Sequence, residues 1–178
     1  MLPGTREFIG IYEEYKNLVL KAAYIYSGNN YHVAEDIMQD TFLKLYMGFD
    51  HLKKGNVPAW LFTTAKNSAL NFNKKHKREM VTDDETILKR EENLRESAEE
   101  EYLENDLAIE RKELSKRILA GLMDKNPRWH EAIILVYYME VPQAKAAGML
   151  GIRTNVLHSM LHRAKNWIKK TYGAEYIE

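Results

Sequence analysis

Apolar side chains recur every three or four residues through most of this chain. Phe8, Ile11/Tyr12, Tyr15, Leu18/Val19, Ala22 and Ile25/Tyr26 keep that interval and predict a first amphipathic helix. Ser27-Gly28-Asn29-Asn30 stops it, because Gly and Asn tolerate the positive φ of a helix end. Val33/Ala34, Ile37/Met38, Thr41/Phe42 and Leu45 predict a second helix, and a loop follows from Gly48 to Val57. Pro58 suits the first turn of a third helix, where its missing N–H costs nothing. The buried face of that helix is Trp60/Leu61, Thr64/Ala65, Ser68/Ala69 and Phe72, and it ends near Arg78.

Beyond Met80 the pattern turns polar until Leu103, Leu107, Leu114 and Ile118 restore an apolar seam, so helix is expected toward the end of this stretch. Asn126-Pro127 signals another start, with Trp129, Ala132/Ile133 and Val136/Tyr137 inward. Glu140-Val141-Pro142 breaks that helix. A short helix, a turn at Gly151 and a last helix with Val156/Leu157, Met160/Leu161, Ala164 and Trp167/Ile168 inside complete the chain. No strand alternation and no internal repeat is found. The expected fold is all-α, with two small helical units.

Charge divides the same chain into three. The total is balanced at 26 Lys+Arg and 26 Asp+Glu. Residues 1–79 nevertheless carry 11 basic against 8 acidic residues, 80–113 carry 5 against 13, and 114–178 carry 10 against 5. Two basic modules on an acidic strap point to a protein that meets nucleic acid at two places. The absence of Cys excludes a disulfide framework and Cys-based zinc or thiolate chemistry, and fits a reducing, cytoplasmic setting. No apolar run approaches the roughly 18 residues that span a bilayer, and the N-terminus lacks the order of a signal peptide, so no membrane insertion is expected. No phosphate-binding Gly loop, metal-ligand cluster or nucleophile–base pair is evident. An enzyme is therefore disfavoured, and no cofactor is expected.

The C-terminal module has helix-turn-helix spacing. With Gln143 first, Ala147 takes the crowded fifth position and Gly151 the ninth, in the turn, where positive φ is needed. Ala146, Leu150, Ile152, Leu157 and Met160 fall inward, and Thr154 is placed to cap the last helix. Arg153, Thr154, Asn155, His158, Ser159 and His162 are candidates for DNA contact, with Arg163, Lys165 and Lys169 better placed for phosphates. A plain helical hairpin with a solvated face would share the spacing; the basic excess of the block favours DNA. His158 and His162 have an i, i+4 metal spacing but no HExxH glutamate, so no metal site is assigned.

On the third helix Thr63, Asn67, Asn71, Lys74 and Arg78 share a stripe flanked by Asn73, Lys75 and Lys77, where amides can read base edges and cations track phosphates. The second helix turns Asp36, Gln39 and Asp40 away from its core stripe. Such a face suits a basic protein surface rather than DNA.

The run Ala34-Glu35-Asp36-Ile37-Met38-Gln39-Asp40-Thr41-Phe42-Leu43-Lys44-Leu45-Tyr46 closely resembles the second conserved region of bacterial sigma factors. Trp60-Leu61-Phe62-Thr63-Thr64-Ala65-Lys66-Asn67 continues that resemblance into the promoter-melting segment. Tyr137-Tyr138 through Leu150-Gly151-Ile152, then Leu161-His162-Arg163-Ala164-Lys165, looks like the fourth region. Two regions and a short strap are the layout of the extracytoplasmic-function (ECF) group of the sigma-70 family. The resemblance implies region 2 in 1–79, an acidic linker in 80–113 and a region 4 helix-turn-helix in 114–178. It also implies, as partners, core RNA polymerase (the β′ clamp helices, and β), promoter DNA and an anti-sigma factor. By the same resemblance Asp36, Gln39, Asp40 and Phe42 dock on polymerase. His51, Lys53, Lys54, Asn56, Trp60, Asn67, Asn71, Lys74, Lys75 and Arg78 engage and open the −10 element, the 51–56 loop holding a flipped-out base. The C-terminal module binds the −35 element as duplex. Related linkers thread the polymerase RNA channel, where the acidic strap would imitate a phosphate backbone; a solubilising linker explains the same charge. Glu140, Pro142 and Gln143, with Val156, His158 and Met160, depart from common family residues and bear on which −35 sequence is read.

A stand-alone helix-turn-helix regulator, dimerising through its N-terminal bundle, is the competing reading. A helical interaction module without nucleic acid is a third. The outward face of the second helix separates the first two, since a dimer seam should be apolar there.

Overall fold

The computed structural model describes residues 4–80 and 106–176, and all its regular elements among those residues are helical. The first unit comprises α1 (Thr5–Tyr26), α2 (Tyr31–Met47), the single-turn α3 (Phe49–Leu52) and α4 (Val57–Met80). The second comprises α5 (Asp106–Lys125), α6 (Pro127–Ile133), a π-helical turn (Ile134–Tyr138), α7 (Gln143–Leu150) and α8 (Thr154–Tyr176).

The stops and starts work as local chemistry dictates. Gly28 and Asn29 turn the chain at φ 76° and 63°, and Asn30 caps α2 by accepting from the Val33 N–H at 3.2 Å. Asn56 caps α4 in the same way, through Oδ1 to the Ala59 N–H at 3.1 Å. Asn126 caps α6, accepting from the N–H groups of Arg128 and Trp129, with Pro127 in the first turn. Thr154 is the first residue of α8, because the Leu157 N–H bonds to the Arg153 carbonyl. The cap position thus belongs to Arg153 and not, as the spacing suggested, to Thr154.

α1, α2 and α4 pack on one another around Val19, Ala22, Ala34, Leu45, Leu61 and Ala65, all inaccessible to solvent. Thr41 is buried within this core with its hydroxyl donated to the Ile37 carbonyl at 2.7 Å, so burial leaves no unmet polar group. The predicted loop after Gly48 contains α3, whose Phe49 packs edge-on to Phe8.

In the second unit α6 and α7 both pack on α8, and α5 packs on α6 and α8. Helix α5 begins at Asp106, so 106–113, which charge assigned to the strap, is helical; the strap's densest acidic run, 99–101, lies outside the described residues. α5 approaches α8 closely at Gly121, where a Cβ would overlap the Tyr172 hydroxyl and come within 3.3 Å of the Trp167 ring. Of the expected inward Val136/Tyr137 pair, Val136 is half-buried against the core and Tyr137 is turned out. The π-turn, closed by Met139 N–H to Ile134 O at 2.9 Å, shifts the helical register, burying Ile134 and Leu135 while Tyr137 and Tyr138 face out.

Candidate interaction surfaces

The helix-turn-helix spacing closes as a tight unit. α7 ends at Gly151, φ 66°, with the Ile152 N–H on the Ala147 carbonyl at 3.0 Å. No atom lies within 4 Å of a Cβ built on Gly151, so glycine is required there by backbone conformation, not by space. Ala146, Ala147, Leu150 and Leu157 are buried beneath the turn. Arg153, Thr154, Asn155, His158, Ser159, His162, Arg163 and Lys165 are all exposed along α8. They thus form one accessible face. Lys165 sits 4.6 Å above the Tyr137 ring, and the Asn166 amide is 3.1 Å from His162 Nε2. Among the described residues no group of three or more His, Asp or Glu side chains is arranged to hold a metal.

On α4, Thr63, Asn67, Asn71, Lys74, Lys75 and Arg78 are exposed, and Trp60 is half-buried beside them. Asn73 differs: it is half-buried and its Nδ2 donates to the Tyr26 carbonyl at 2.6 Å, tying α4 to the end of α1. His51 ends up on α3, with Lys53 and Lys54 in the turn that follows. Lys53 lies 3.8 Å from both Glu7 and Asp50 and 5.7 Å over the Phe49 ring. Asn56 is doubly engaged, by the cap to α4 and by an Nδ2 donation to the Gly148 carbonyl of α7 at 2.6 Å.

The outward stripe of α2 carries Asp36, Gln39 and Asp40, with Asp40 paired to Lys44 at 2.8 Å. Phe42 is not on it. It is 3% exposed and packs edge-on to Tyr12, centroids 4.9 Å apart, which makes it core rather than a contact residue. Two residues absent from the expected set continue the stripe: Leu43 at 57% exposure and Met47 at 78%. Their signal was present, since 36, 40, 43 and 47 share a face that excludes the buried 37, 41, 42 and 45. The face is therefore acidic at one end and apolar at the other, and its polarity alone does not separate a polymerase contact from a dimer seam.

Where the units meet, His130 is 5% exposed and sits 3.2 Å by Nδ1 from the Tyr26 hydroxyl. Burial, and then the nearby Lys66 ammonium, pull the His130 imidazole down from 6.5 to about 4. Burial, and then the charge of Glu131, push the Tyr26 phenol well above its ordinary range, so Tyr26 keeps its proton beside a neutral imidazole. Lys66 pairs with Glu131, their side chains 16% and 7% exposed, and Arg128 approaches Glu131 at 3.4 Å.

Residues 11–79 match the sigma-70 region 2 family, covering α2, α3, most of α1 and all but the last residue of α4. Similarity to curated proteins extends much further. The chain is 29% identical over 164 residues, covering 92% of itself and 93% of the relative, to the ECF RNA polymerase sigma factor SigM of Bacillus subtilis strain 168. It is 23% identical over 164 residues, covering 92% and 87%, to SigW of the same organism. To SigE of Mycolicibacterium smegmatis it is 22% identical over 171 residues, covering 94% of itself and 61% of the relative. The matched domain and these likenesses support an ECF RNA polymerase sigma factor, and with it a role in transcription initiation. Among the described residues no helix is long and apolar enough to cross a membrane.

Proposed function

We propose that this chain is a promoter-specificity subunit. It docks on core RNA polymerase through the outward stripe of α2, engages and opens the −10 element with the stripe of α4 and the turn before it, and holds the −35 element with α7 and α8. What supports the reading is the α2 stripe taken with the sigma-70 region 2 match that spans it: Leu43 and Met47 stay exposed in line with Asp36 and Asp40, and the match favours a polymerase contact over a dimer seam there. An acidic and apolar strip complements a basic and apolar protein surface, and the family resemblance makes the β′ clamp helices of the polymerase the candidate. On α4, Asn67 and Asn71 supply paired donors and acceptors for bases, and Lys74, Lys75 and Arg78 follow the backbone. An anti-sigma factor and the RNA-channel role of the acidic strap belong to the same proposal.

Run-off transcription with purified core polymerase, with and without the chain, on a promoter library tests the whole. Asp36→Lys with Asp40→Lys should abolish co-elution with core while helical content stays unchanged. Co-elution equal to the unaltered chain would remove α2 from the docking role. Self-association through the stripe, measured by sedimentation, with no polymerase binding, would instead establish the dimeric regulator.

A further inference from the structure

Among the described residues four lysines lie over aromatic rings, and three of them also reach a carboxylate. Lys16 is 5.7 Å from the Tyr12 centroid and 2.6 Å from Glu13. Lys53 is 5.7 Å over Phe49 and 3.8 Å from Glu7 and Asp50. Lys145 is 4.8 Å over Tyr15 and 3.5 Å from Glu14. Lys165 is the exception. Its ammonium sits 4.6 Å from the Tyr137 centroid, and no carboxylate among the described residues pairs with it. A carboxylate would neutralise the charge and take up its N–H groups. A ring face attracts the cation through its quadrupole and leaves the net charge and the outward N–H donors for an oxyanion.

The ring reaches Lys165 because of the π-turn. Counting at 3.6 residues per turn puts Tyr137 inside with Val136. The wider ring closed between Met139 N–H and Ile134 O turns it outward instead, to 45% exposure. There it lines an open cleft with Gln143 at the start of α7 and with His158, Leu161, His162 and Lys165 of α8. No carboxylate lines that cleft. Residues 158, 162 and 165 recur at helical spacing along one side of α8, so Lys165 stands a turn beyond the last imidazole. A π-turn gives up some regular helix geometry and is frequent where a helix serves a functional site.

The next step rests on the reading of α8 as the −35 surface. We infer that Tyr137 is a positioning residue for that surface: its ring face holds the Lys165 ammonium at the end of the exposed stripe, where a backbone phosphate of the duplex meets it. A free lysine stem loses rotational freedom when it makes such a contact. On the ring much of that ordering is in place before DNA arrives. The contact fixes register along the duplex and reads no base, as phosphate contacts do.

A double-mutant cycle on the full-length chain tests the inference. Tyr137→Leu, Lys165→Gln and the pair are measured on two duplexes, one carrying a promoter chosen by run-off with core polymerase and one of unrelated sequence and equal length. Tyr137→Leu should weaken binding to both about two- to fivefold, and should change nothing further once Lys165→Gln is present. Lys165→Gln should lower the salt slope by about one unit. Tyr137→Phe keeps the ring face without the hydroxyl and should bind as the unaltered chain does. Because Tyr137 is half-exposed, helical content should stay unchanged in every variant. An equal loss from Tyr137→Leu in both backgrounds would make the ring a structural element only. Tighter binding by Tyr137→Leu would mean that the ring withholds the lysine, and a Tyr137→Phe loss equal to that of Tyr137→Leu would give the role to the hydroxyl. Each of these overturns the inference, as does an unaltered chain that binds neither duplex at low salt. If core polymerase gives no transcript from any promoter, the sigma-factor reading falls, while the cycle on the unrelated duplex still decides whether Tyr137 works through Lys165.

Discussion

Acidification should weaken the contact between the units, through His130. Its imidazole titrates at about 4 when buried, against 6.5 when free. The charged group facing it from α4 is Lys66, the α1 neighbour is the Tyr26 hydroxyl, and Glu131 follows it on α6. The unfolded chain therefore binds more protons than the folded one between those two values. Folded-state stability is complete above the free value and is lost as pH falls below it, the loss levelling off beneath about 4. A tenfold difference in proton affinity is worth about 1.4 kcal/mol, which makes the loss about 0.8 kcal/mol at pH 6 and about 2 kcal/mol at pH 5. Denaturant melts of the full-length chain at each pH should report it, alongside an NMR titration of the His130 ring. His130→Gln keeps a partner for Tyr26 but cannot charge, so its pH dependence should be shallower by that same amount. An imidazole titrating near 6.5 in the intact chain, or equal pH dependence in His130→Gln, would refute the burial argument.

Other surfaces give simpler expectations. Asn71→Ala with Lys75→Ala should reduce opening of the −10 element, followed by permanganate reactivity, more than it reduces duplex binding; equal losses would remove the melting role from α4. Arg163→Ala should weaken −35 duplex binding with little change in base preference and lower the salt slope by about one unit, read from binding isotherms at several ionic strengths. Gly121→Ala should destabilise the second unit by about 1–2 kcal/mol, because the added methyl overlaps the Tyr172 hydroxyl. Tyr172→Phe in the same chain should recover most of that in denaturant melts, although it gives up the hydroxyl's bond to the Arg117 carbonyl.

Much of this architecture is legible in the sequence because its signals are local. Apolar periodicity places α1, α2 and α4, and the Asn caps and Gly turns mark their ends, since each depends on residues within one or two helical turns. The inward set of the helix-turn-helix follows from its spacing for the same reason. What escapes is set by distant partners or by a break in register. Phe42 looks like part of the contact string until Tyr12 is seen to cover it. Asn73 looks like a flank of a DNA-facing stripe until the Tyr26 carbonyl claims its amide. The π-turn adds a residue to one helical ring, so 3.6-residue counting fails beyond Ile134 and turns Tyr137 outward. His130 and Glu131 read as an ordinary helix start, and only the opposing Tyr26 and Lys66 give them a role.

The seam between the two units is selective in what it covers. Arg153, Asn155, His158, Ser159, His162 and Arg163 stay exposed on α8, whereas Asn56 is taken up. On the proposed reading, the −35 candidates therefore stay open to a duplex while one −10 candidate is engaged within the chain. Tethered contacts gain from effective concentration only when geometry lets both be made together, and that gain vanishes when it does not. The seam sets the pairs Lys66–Glu131 and Tyr26–His130 beside one continuous set of buried residues that runs through both units, so apolar packing as well as polar pairing holds it.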